Sequence, residues 1–527
     1  MKYFEGGLAG KHRWQRGSFR LAIAGITLAT GIVAVSDSSS ATVKAHATVK
    51  SGGTLTVAEE NFPTTLDPAT GTTTAFDYES LAYDPLIYQE PNGTFAPDLA
   101  TKWSYGPDNE SFSITLRPKV KFSDGSTMTA AGVKAWIEHD KSFAGGAGGG
   151  YFASLSSITL QGNLSLTLHF SAPTPNLETY FDQTFGMGDI GSMKGLSNPS
   201  LLTDHTDGAG PYMLSPSKTV SEETYTYVPN PHYWNKSLVH WKTVVIKVVS
   251  SPSASLSALE AGQIQIAEVQ PATSAAAAKR AGLKVDAPLQ LIMTLVLNDR
   301  TTGPLSNPLV REALEYAVNR PALNKLLGVG YGVATDQFAV PGDQQYDPAL
   351  ANYYTYNPTY AKQLLTEAGY PNGFTFTCLS VNEAQLGVLA DALVGEFAAI
   401  GVTLQPTIEP TSGQFGTELG TTDFPSYTVS WGRITAVQDY QYLWGQPGPF
   451  ANTDTGPLTT LYNELLAAPP SKVDSIARQM QQYIVQQAWY INVSGTPLAS
   501  FYSPKVTGVD ATPARPFLYL REVAPKK

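Results

Sequence analysis

A segment of aromatic and charged residues at positions 429–444 is the part of this 527-residue chain best suited to hold a small molecule. It reads VSWGRITAVQDYQYLW, so it offers rings that stack on a ligand, a guanidinium that clamps a carboxylate or hydroxyls, and a carboxylate that pairs with a cation. The ligand-binding residues predicted in this segment are Trp431, Gly432, Arg433, Asp439 and Tyr440. Alternatively, these rings and that of Trp444 only pack a protein core, as aromatic residues often do.

A second candidate set follows the first apolar alternation of the chain, GTLTVA at 53–58, which predicts a β-strand. Polar and aromatic side chains at the carboxyl end of a strand lie where α/β proteins usually bind ligands. The candidate set is Glu59-Glu60-Asn61-Phe62, directly after this strand, and within it Glu60, Asn61 and Phe62 are the residues predicted to contact a ligand. The alternative is an ordinary loop that Asn61 caps.

Catalysis has little support in the sequence. The seven histidines form no H-E-x-x-H motif, and the chain lacks G-x-S-x-G, a phosphate-binding loop and a dinucleotide fingerprint. No catalytic residue, metal site or cofactor is therefore predicted. The alternative of another class, a secreted glycoside hydrolase, needs two carboxylates around one bond, for which Glu59, Glu60 and Asp439 are the candidates. The single Cys378 lies in FTFTCLS and is predicted to be a small buried hydrophobe.

The first residues of the chain predict export. Lysines and arginines precede an apolar run from Leu21 to Val35, and an A-x-A pattern follows at Ala45-His46-Ala47. Residues 1–47 are predicted to be a signal peptide, so that the protein lies in the periplasm or on the outer face of the cell membrane. The alternative is a segment that is kept as a membrane anchor. No cysteine stands there to carry a lipid.

Composition is typical of a globular protein, with 42% hydrophobic and 15% charged residues, and the length allows two or three domains. The formal net charge is −10 at pH 7, and loss of residues 1–47 would remove six basic and two acidic residues. A surface this acidic argues against nucleic acid as a partner.

The periodicity of the chain predicts two regions, the first rich in strands and the second with alternating helices and strands. In the first, Phe112, Ile114 and Leu116 alternate with polar residues along a strand, and a helix is predicted to begin at Thr129. After Asn307, predicted helices at 308–319, 358–369 and 384–400 alternate with predicted strands at 374–380 and 402–408. This rhythm predicts βαβ units and a mostly parallel sheet.

Phrases of the sequence, in their order, resemble the substrate-binding proteins of ABC importers, in family 5, which binds peptides and nickel. The likeness spans roughly residues 53–400, and Asn92 replaces the aspartate usual in the second phrase. The phrases are YDPLIY from 83, NGTFAPDLA from 92, VKFSDGSTMTAAGV from 120, GAGPYML from 208, VPNPHYW from 228 and NPLVREALEYAVNR from 307.

This resemblance implies an α/β, bilobal clamshell like the type II periplasmic binding proteins, in the large cluster with an extra subdomain, with mixed sheets flanked by helices. The implied domains are the signal peptide 1–47, lobe I from 48–94, 206–290 and 499–527, the extra subdomain 95–205, and lobe II 291–498. The chain would cross between the lobes near Leu291 and near Val493–Pro497, where a few residues absorb the closing rotation.

The resemblance also implies a monomer that captures a solute between its lobes, performs no chemistry on it and delivers it to ABC permease subunits in the membrane. An oligopeptide is the leading ligand, an oligosaccharide held by aromatic rings the second, and a nickel chelate the third. In peptide-binding members an aspartate of a W-x-x-D segment holds the peptide ammonium. Ile434 stands at that position here, so this anchor is missing or shifted.

Overall fold

The computed structural model describes most of the chain beyond the predicted signal peptide, which lies outside the described residues. The residues described are 52–70, 75–106, 109–143, 148, 152–183, 186–270, 272–300, 303–382, 385–410, 412–421, 424–432, 435–444, 456–468, 470–512 and 518–527. Across these ranges, no helix has both the length and the apolar character needed to span a membrane.

The first sheet is mixed and has seven strands drawn from distant parts of the chain. Gly52–Glu59 lies near its centre and pairs in parallel with its neighbours on both sides. In spatial order the strands are Lys284–Asp286, Ala499–Tyr502, Ile266–Gln270, Gly52–Glu59, Trp241–Val248, Thr224–Pro229 and Tyr212–Leu214. Helices Pro252–Glu260 and Ala275–Arg280 and the one-turn helix Phe76–Glu79 accompany it.

The second sheet has six strands, and the prediction that it would be mostly parallel is wrong. In spatial order they are Val333–Ala334, Tyr490–Pro497, Leu289–Leu297, Ser426–Gly432, Thr375–Val381 and Thr403–Glu409. Only the last three pair in parallel, while the strand Leu289–Leu297 is antiparallel to both of its neighbours. Parallel order arises where helices connect the strands, whereas Leu289–Leu297 and its antiparallel partner Tyr490–Pro497 come from chain segments before and after this run of βαβ units.

Helices surround the second sheet, and the sequence explains where several begin. Asn307 and Asn357 each precede a proline, and their side chains accept hydrogen bonds from the backbone N–H groups of Leu309 and Tyr360 at 3.0 Å. The helices are Pro308–Tyr316, Arg320–Gly328, Pro358–Glu367, Leu386–Ala398, Ser412–Thr421, Ala436–Leu443, Gly456–Ala467 and Pro470–Gln486. The helices and strands predicted between 308 and 408 are confirmed within a few residues. Cys378 is fully buried in this core, as predicted.

A third, antiparallel sheet has its own core. Its strands are, in spatial order, Ala100–Tyr105, Ser111–Leu116, Ser165–Phe170 and Leu155–Leu160. Phe112, Ile114 and Leu116 are buried on one face, as the alternation predicts, together with Trp136 of the helix Ala130–Ser142. The side chain of Thr129 caps that helix by accepting a hydrogen bond from Gly132 N–H at 3.2 Å. Shorter elements are the strand pairs Ile87–Gln89 with Phe95–Pro97 and Val506–Thr507 with Ala524–Pro525, and the helix Met193–Ser197.

The chain passes between the first and second sheets twice, each time over very few residues. It leaves the first sheet after Asp286 and enters the second at Leu289, and it returns between Pro497 and Ala499. The two passages lie side by side, because Leu289 pairs with Pro497. The domain boundaries given above stay a prediction; the two passages lie within a few residues of the predicted crossings.

Candidate functional site

The predicted ligand residues Glu60, Asn61 and Phe62 follow the strand Gly52–Glu59 directly, at the carboxyl edge of the first sheet. The carbonyl oxygen of Asn61 accepts a hydrogen bond from the hydroxyl of Tyr78 at 2.8 Å, which fixes the path of this loop. Glu60 is half-buried and Asn61 is exposed. Phe62 is 37% exposed, so its ring is available to a ligand.

Three carboxylates meet beneath this loop. Glu59 ends its strand, Glu268 lies on the neighbouring parallel strand, and Asp77 lies on the helix Phe76–Glu79; oxygens of all three lie within 4.8 Å of one another. The parallel pairing of the two strands brings Glu59 and Glu268 together. Val57 lies opposite Ile266, so the residues two positions further along each strand, Glu59 and Glu268, are also neighbours. We call these three residues the carboxylate cluster.

Burial dominates the electrostatics of the carboxylate cluster. Burial raises the pKa of Glu59 well above its usual value, and the charges of Asp77 and Glu268 raise it further. Burial also raises the pKa of Asp77 to about 7 and that of Glu268 well above its usual value, although the hydroxyl of Ser500 donates a hydrogen bond to Glu268 at 2.8 Å. Three ionised carboxylates therefore cannot coexist here unless positive charge or protons compensate them.

Trp431 and Gly432 end the strand Ser426–Gly432 of the second sheet. Gly432 pairs with Leu291, at the start of the strand that enters this sheet from the first. The ring of Trp431 is 7% exposed and packs edge-on against Phe338, with 6.1 Å between ring centroids. Arg433, the predicted clamp, lies outside the described residues.

Asp439 and Tyr440 lie on the helix Ala436–Leu443 and are both buried. Burial raises the pKa of Asp439 well above its usual value, while a hydrogen bond from Gln345 opposes that rise. Tyr440 stacks on Tyr462 with ring centroids 3.9 Å apart, and its hydroxyl bonds the hydroxyl of Thr459 at 2.7 Å. In the described structure these side chains pack the core of the second sheet, so their contact with a ligand stays a prediction.

The two candidate sets lie on opposite sides of the same chain crossing. On the first sheet, Glu268 accepts a hydrogen bond from Ser500. Thr496, four residues before Ser500 in the chain, already belongs to the second sheet. There it pairs with Leu291, and Leu291 pairs on its other side with Gly432. Four extended residues span at most about 14 Å. The carboxyl edge of the first sheet and the end of the strand that carries Trp431 thus approach each other at the crossing.

Residues 94–452 match the bacterial extracellular solute-binding proteins, family 5 Middle. The chain belongs to this family. Its members are binding proteins of ABC importers, so the predicted resemblance and the role as an extracytoplasmic solute-binding protein of an ABC importer are confirmed. The related proteins are transport proteins rather than enzymes, and they bind small ligands for delivery to ABC permeases.

A curated relative and two solved structures are similar to this chain over most of its length. The glutathione-binding protein GsiB of Shigella dysenteriae serotype 1 is 26% identical over an alignment of 487 residues, and the match covers 84% of this chain and 89% of the relative. AgaA from A. tumefaciens R10, solved with agropinic acid, superposes with a TM-score of 0.76 at 23% identity, over 90% of this chain and 99% of that chain. DppA from Helicobacter pylori, solved with the peptide STSA, gives a TM-score of 0.73 at 20% identity, over 90% and 98%. These likenesses confirm the predicted α/β fold of bilobal periplasmic binding proteins.

Sequence reasoning missed two members of the carboxylate cluster, Asp77 and Glu268. The sequence did contain an indication for Glu268, because it is the one acidic residue of the strand IAEVQ, whose other residues are apolar or uncharged. An ionisable residue inside a buried strand is rare unless it has a partner or a role. Asp77 carried no comparable signal, because a four-residue helix has no periodicity to read.

Proposed function

We propose that this family-5 binding protein captures an oligopeptide or a similar small solute between two lobes, performs no chemistry on it, and delivers it to ABC permease subunits. In this proposal the lobes have the predicted boundaries, residues 1–47 direct export, and the protein acts as a monomer without nucleic acid. The observation that carries it is the paired crossing at residues 286–289 and 497–499, which joins two separate sheets through very short segments. Such short connections suit a hinge, and a solute that touches both sheets would shift the protein towards a closed state.

A peptide is favoured over an oligosaccharide by the placement of the aromatic rings. Trp431, Tyr440 and Trp444 were the rings expected to stack on a sugar, and each is at most 8% exposed. Trp444 packs against Phe338 and Tyr490, with centroid distances of 6.3 and 5.7 Å. Recognition of an extended peptide relies on main-chain hydrogen bonds and needs few specific side chains. The names of GsiB and of the DppA structure, which specify glutathione and a peptide, point the same way.

Binding and closure are expected together. Isothermal titration calorimetry with glutathione, the peptide STSA, agropinic acid and a panel of oligosaccharides should find a peptide that binds with a Kd of about 1 μM or tighter, worth about 8 kcal/mol. Small-angle X-ray scattering should then show a smaller radius of gyration at saturation. A peptide that binds without compaction contradicts the proposed closure. Hydrolysis of chromogenic glycosides that Glu60→Gln abolishes would instead favour the glycoside hydrolase.

The predicted contact from Phe62 is testable without disturbing the fold. Phe62→Ala is expected to weaken affinity for the peptide found above roughly tenfold, about 1.4 kcal/mol, while the free energy of unfolding changes by less than about 0.5 kcal/mol. Tyr356→Ala removes a ring that is 41% exposed elsewhere and serves as the matched control. Arg433→Ala tests the clamp in the same assay. Unchanged affinity in both Phe62→Ala and Arg433→Ala would remove the predicted site.

A further inference from the structure

The carboxylate cluster offers only oxygen atoms to a ligand. Glu59 and Glu268 are each 7% exposed, Asp77 is half-buried, and their three carboxylates together carry six oxygens. Two ligand atoms on opposite sides of an ion at about 2.4 Å lie about 4.8 Å apart, so oxygens within 4.8 Å of one another can share one Ca²⁺. Geometry alone therefore allows a single cation to contact all three side chains.

Within the described part of the chain, one oxygen of the carboxylate cluster is buried without a hydrogen-bond donor, which indicates that the cluster can accept a further ligand. The Oε1 atom of Glu59 is buried, and no N–H or hydroxyl group of the described residues donates a hydrogen bond to it. The side-chain hydrogen bond that Glu59 does make, with the carboxyl group of Asp77, lies within the cluster. A buried carboxylate oxygen without a partner costs free energy, and a bound cation is one of the few groups that can compensate it. The neighbouring charges that raise the pKa values of Glu59 and Glu268 belong to other acids, including Glu60 and Asp286.

We propose that Glu59, Asp77 and Glu268 form a binding site for a divalent metal cation of the Ca²⁺ type. Hard cations prefer carboxylate oxygens, whereas zinc sites are built mainly from histidine and cysteine, which this cluster lacks. Mg²⁺ fits less well because it usually keeps several of its waters, and this cluster lies against two buried strands. Ca²⁺ accepts carboxylates in one- or two-oxygen modes and tolerates irregular geometry.

The bound cation would tie together three separate segments of the chain. It would join the end of the strand Gly52–Glu59, the helix Phe76–Glu79 and the strand Ile266–Gln270, directly below the loop that carries Phe62. Glu268 is also bonded to Ser500, just after the chain returns from the second sheet. The cation thereby braces the edge of the first sheet beside the crossing. The site does not depend on the identity of the transported solute.

The test uses the whole mature protein and metal ions alone. After treatment with a chelator and its removal, calorimetry at pH 7.5 should detect one Ca²⁺ per chain, with at least about tenfold weaker binding of Mg²⁺. The heat should vary with the ionisation enthalpy of the buffer, because Ca²⁺ displaces protons from the carboxyl groups. The midpoint of thermal unfolding should rise with the Ca²⁺ concentration.

Isosteric variants assign the binding to these residues. Glu59→Gln and Glu268→Gln should each weaken Ca²⁺ binding by more than about 100-fold, since each removes one charge and one ligand. Both amides resemble the protonated acid, so the variants should fold; circular dichroism and the unfolding midpoint without Ca²⁺ check this. Glu223→Gln, at an exposed acid, is the matched control. Asp77→Asn gives an independent third variant.

Two results would overturn the proposal. One is the absence of a Ca²⁺ binding heat and of a thermal shift in the chelator-treated wild-type protein across pH 6–8. The other is Ca²⁺ binding that survives unchanged in the double variant Glu59→Gln/Glu268→Gln. Because no peptide is present in these titrations, either outcome leaves the proposed solute-binding function to its own test.

Discussion

Replacing Arg521 with alanine is expected to lower the free energy of unfolding by about 3–5 kcal/mol at pH 7, because it strands two buried carboxylates. The guanidinium is 4% exposed and bonds Asp84 at 2.5 Å and Asp98 at 2.6 Å. It also lies over the rings of Tyr88 and Tyr519, 4.9 and 4.6 Å from their centroids. One side chain near the C-terminus thus holds two acids that lie more than 400 residues earlier.

Denaturation in urea, followed by circular dichroism, measures the loss. Arg280→Ala, which removes an exposed arginine, is the control and should change the free energy by less than about 0.5 kcal/mol. Arg521→Lys should recover part of the loss, since it keeps the charge but cannot bond both carboxylates in a planar fork. A change of less than about 1 kcal/mol in Arg521→Ala would mean that the two carboxyl groups take up protons or water at little cost.

Local patterns in the sequence predicted the individual helices and strands well, but they could not predict which distant strands pair with one another. Asn307 and Asn357, each followed by proline, mark two helix starts that the structure places within a residue. The strand Tyr490–Pro497 reads YINVSGTP and is buried along its whole length, so it has no alternation to reveal it. Its partner Leu289–Leu297 lies about 200 residues earlier. The error about a mostly parallel sheet follows from these two strands.

In the candidate site, too, local sequence patterns predicted some residues, whereas others depend on contacts between distant parts of the chain. The prediction singled out Glu59 from its position at a strand end, but the cluster needs Glu268, which arrives only through a parallel pairing across some 200 residues. Burial also depends on tertiary packing. The sequence does not tell whether Trp431 and Tyr440 are core residues or ligand contacts. The structure shows that Trp431 packs against the ring of Phe338 and Tyr440 against the ring of Tyr462. Contacts in a closed state stay a prediction.

Replacing Glu79 with glutamine is expected to leave stability nearly unchanged at pH 4.5 and to raise the free energy of unfolding by about 4 kcal/mol at pH 8. Glu79 is 4% exposed, and burial, aided by the charge of Asp67, raises its pKa from 4.5 to about 8. Because the folded pKa exceeds the unfolded one, the stability that this carboxyl supports is complete below pH 4.5. It is lost as pH rises towards 8, since the unfolded chain ionises freely. Glutamine does not titrate, so the variant escapes that loss.

The surroundings of Glu79 should strengthen this effect. Its charge raises the pKa values of Asp140 and Asp189, after burial, and both of these acids are buried nearby. Removing that charge makes their ionisation easier, so the dependence of stability on pH should become shallower than one group alone would produce. Urea denaturation from pH 4.5 to 8 measures it, with Glu223→Gln as the exposed control. If wild type and Glu79→Gln lose stability in parallel over this range, Glu79 is ionised in the folded protein and a cation or a water must reach it.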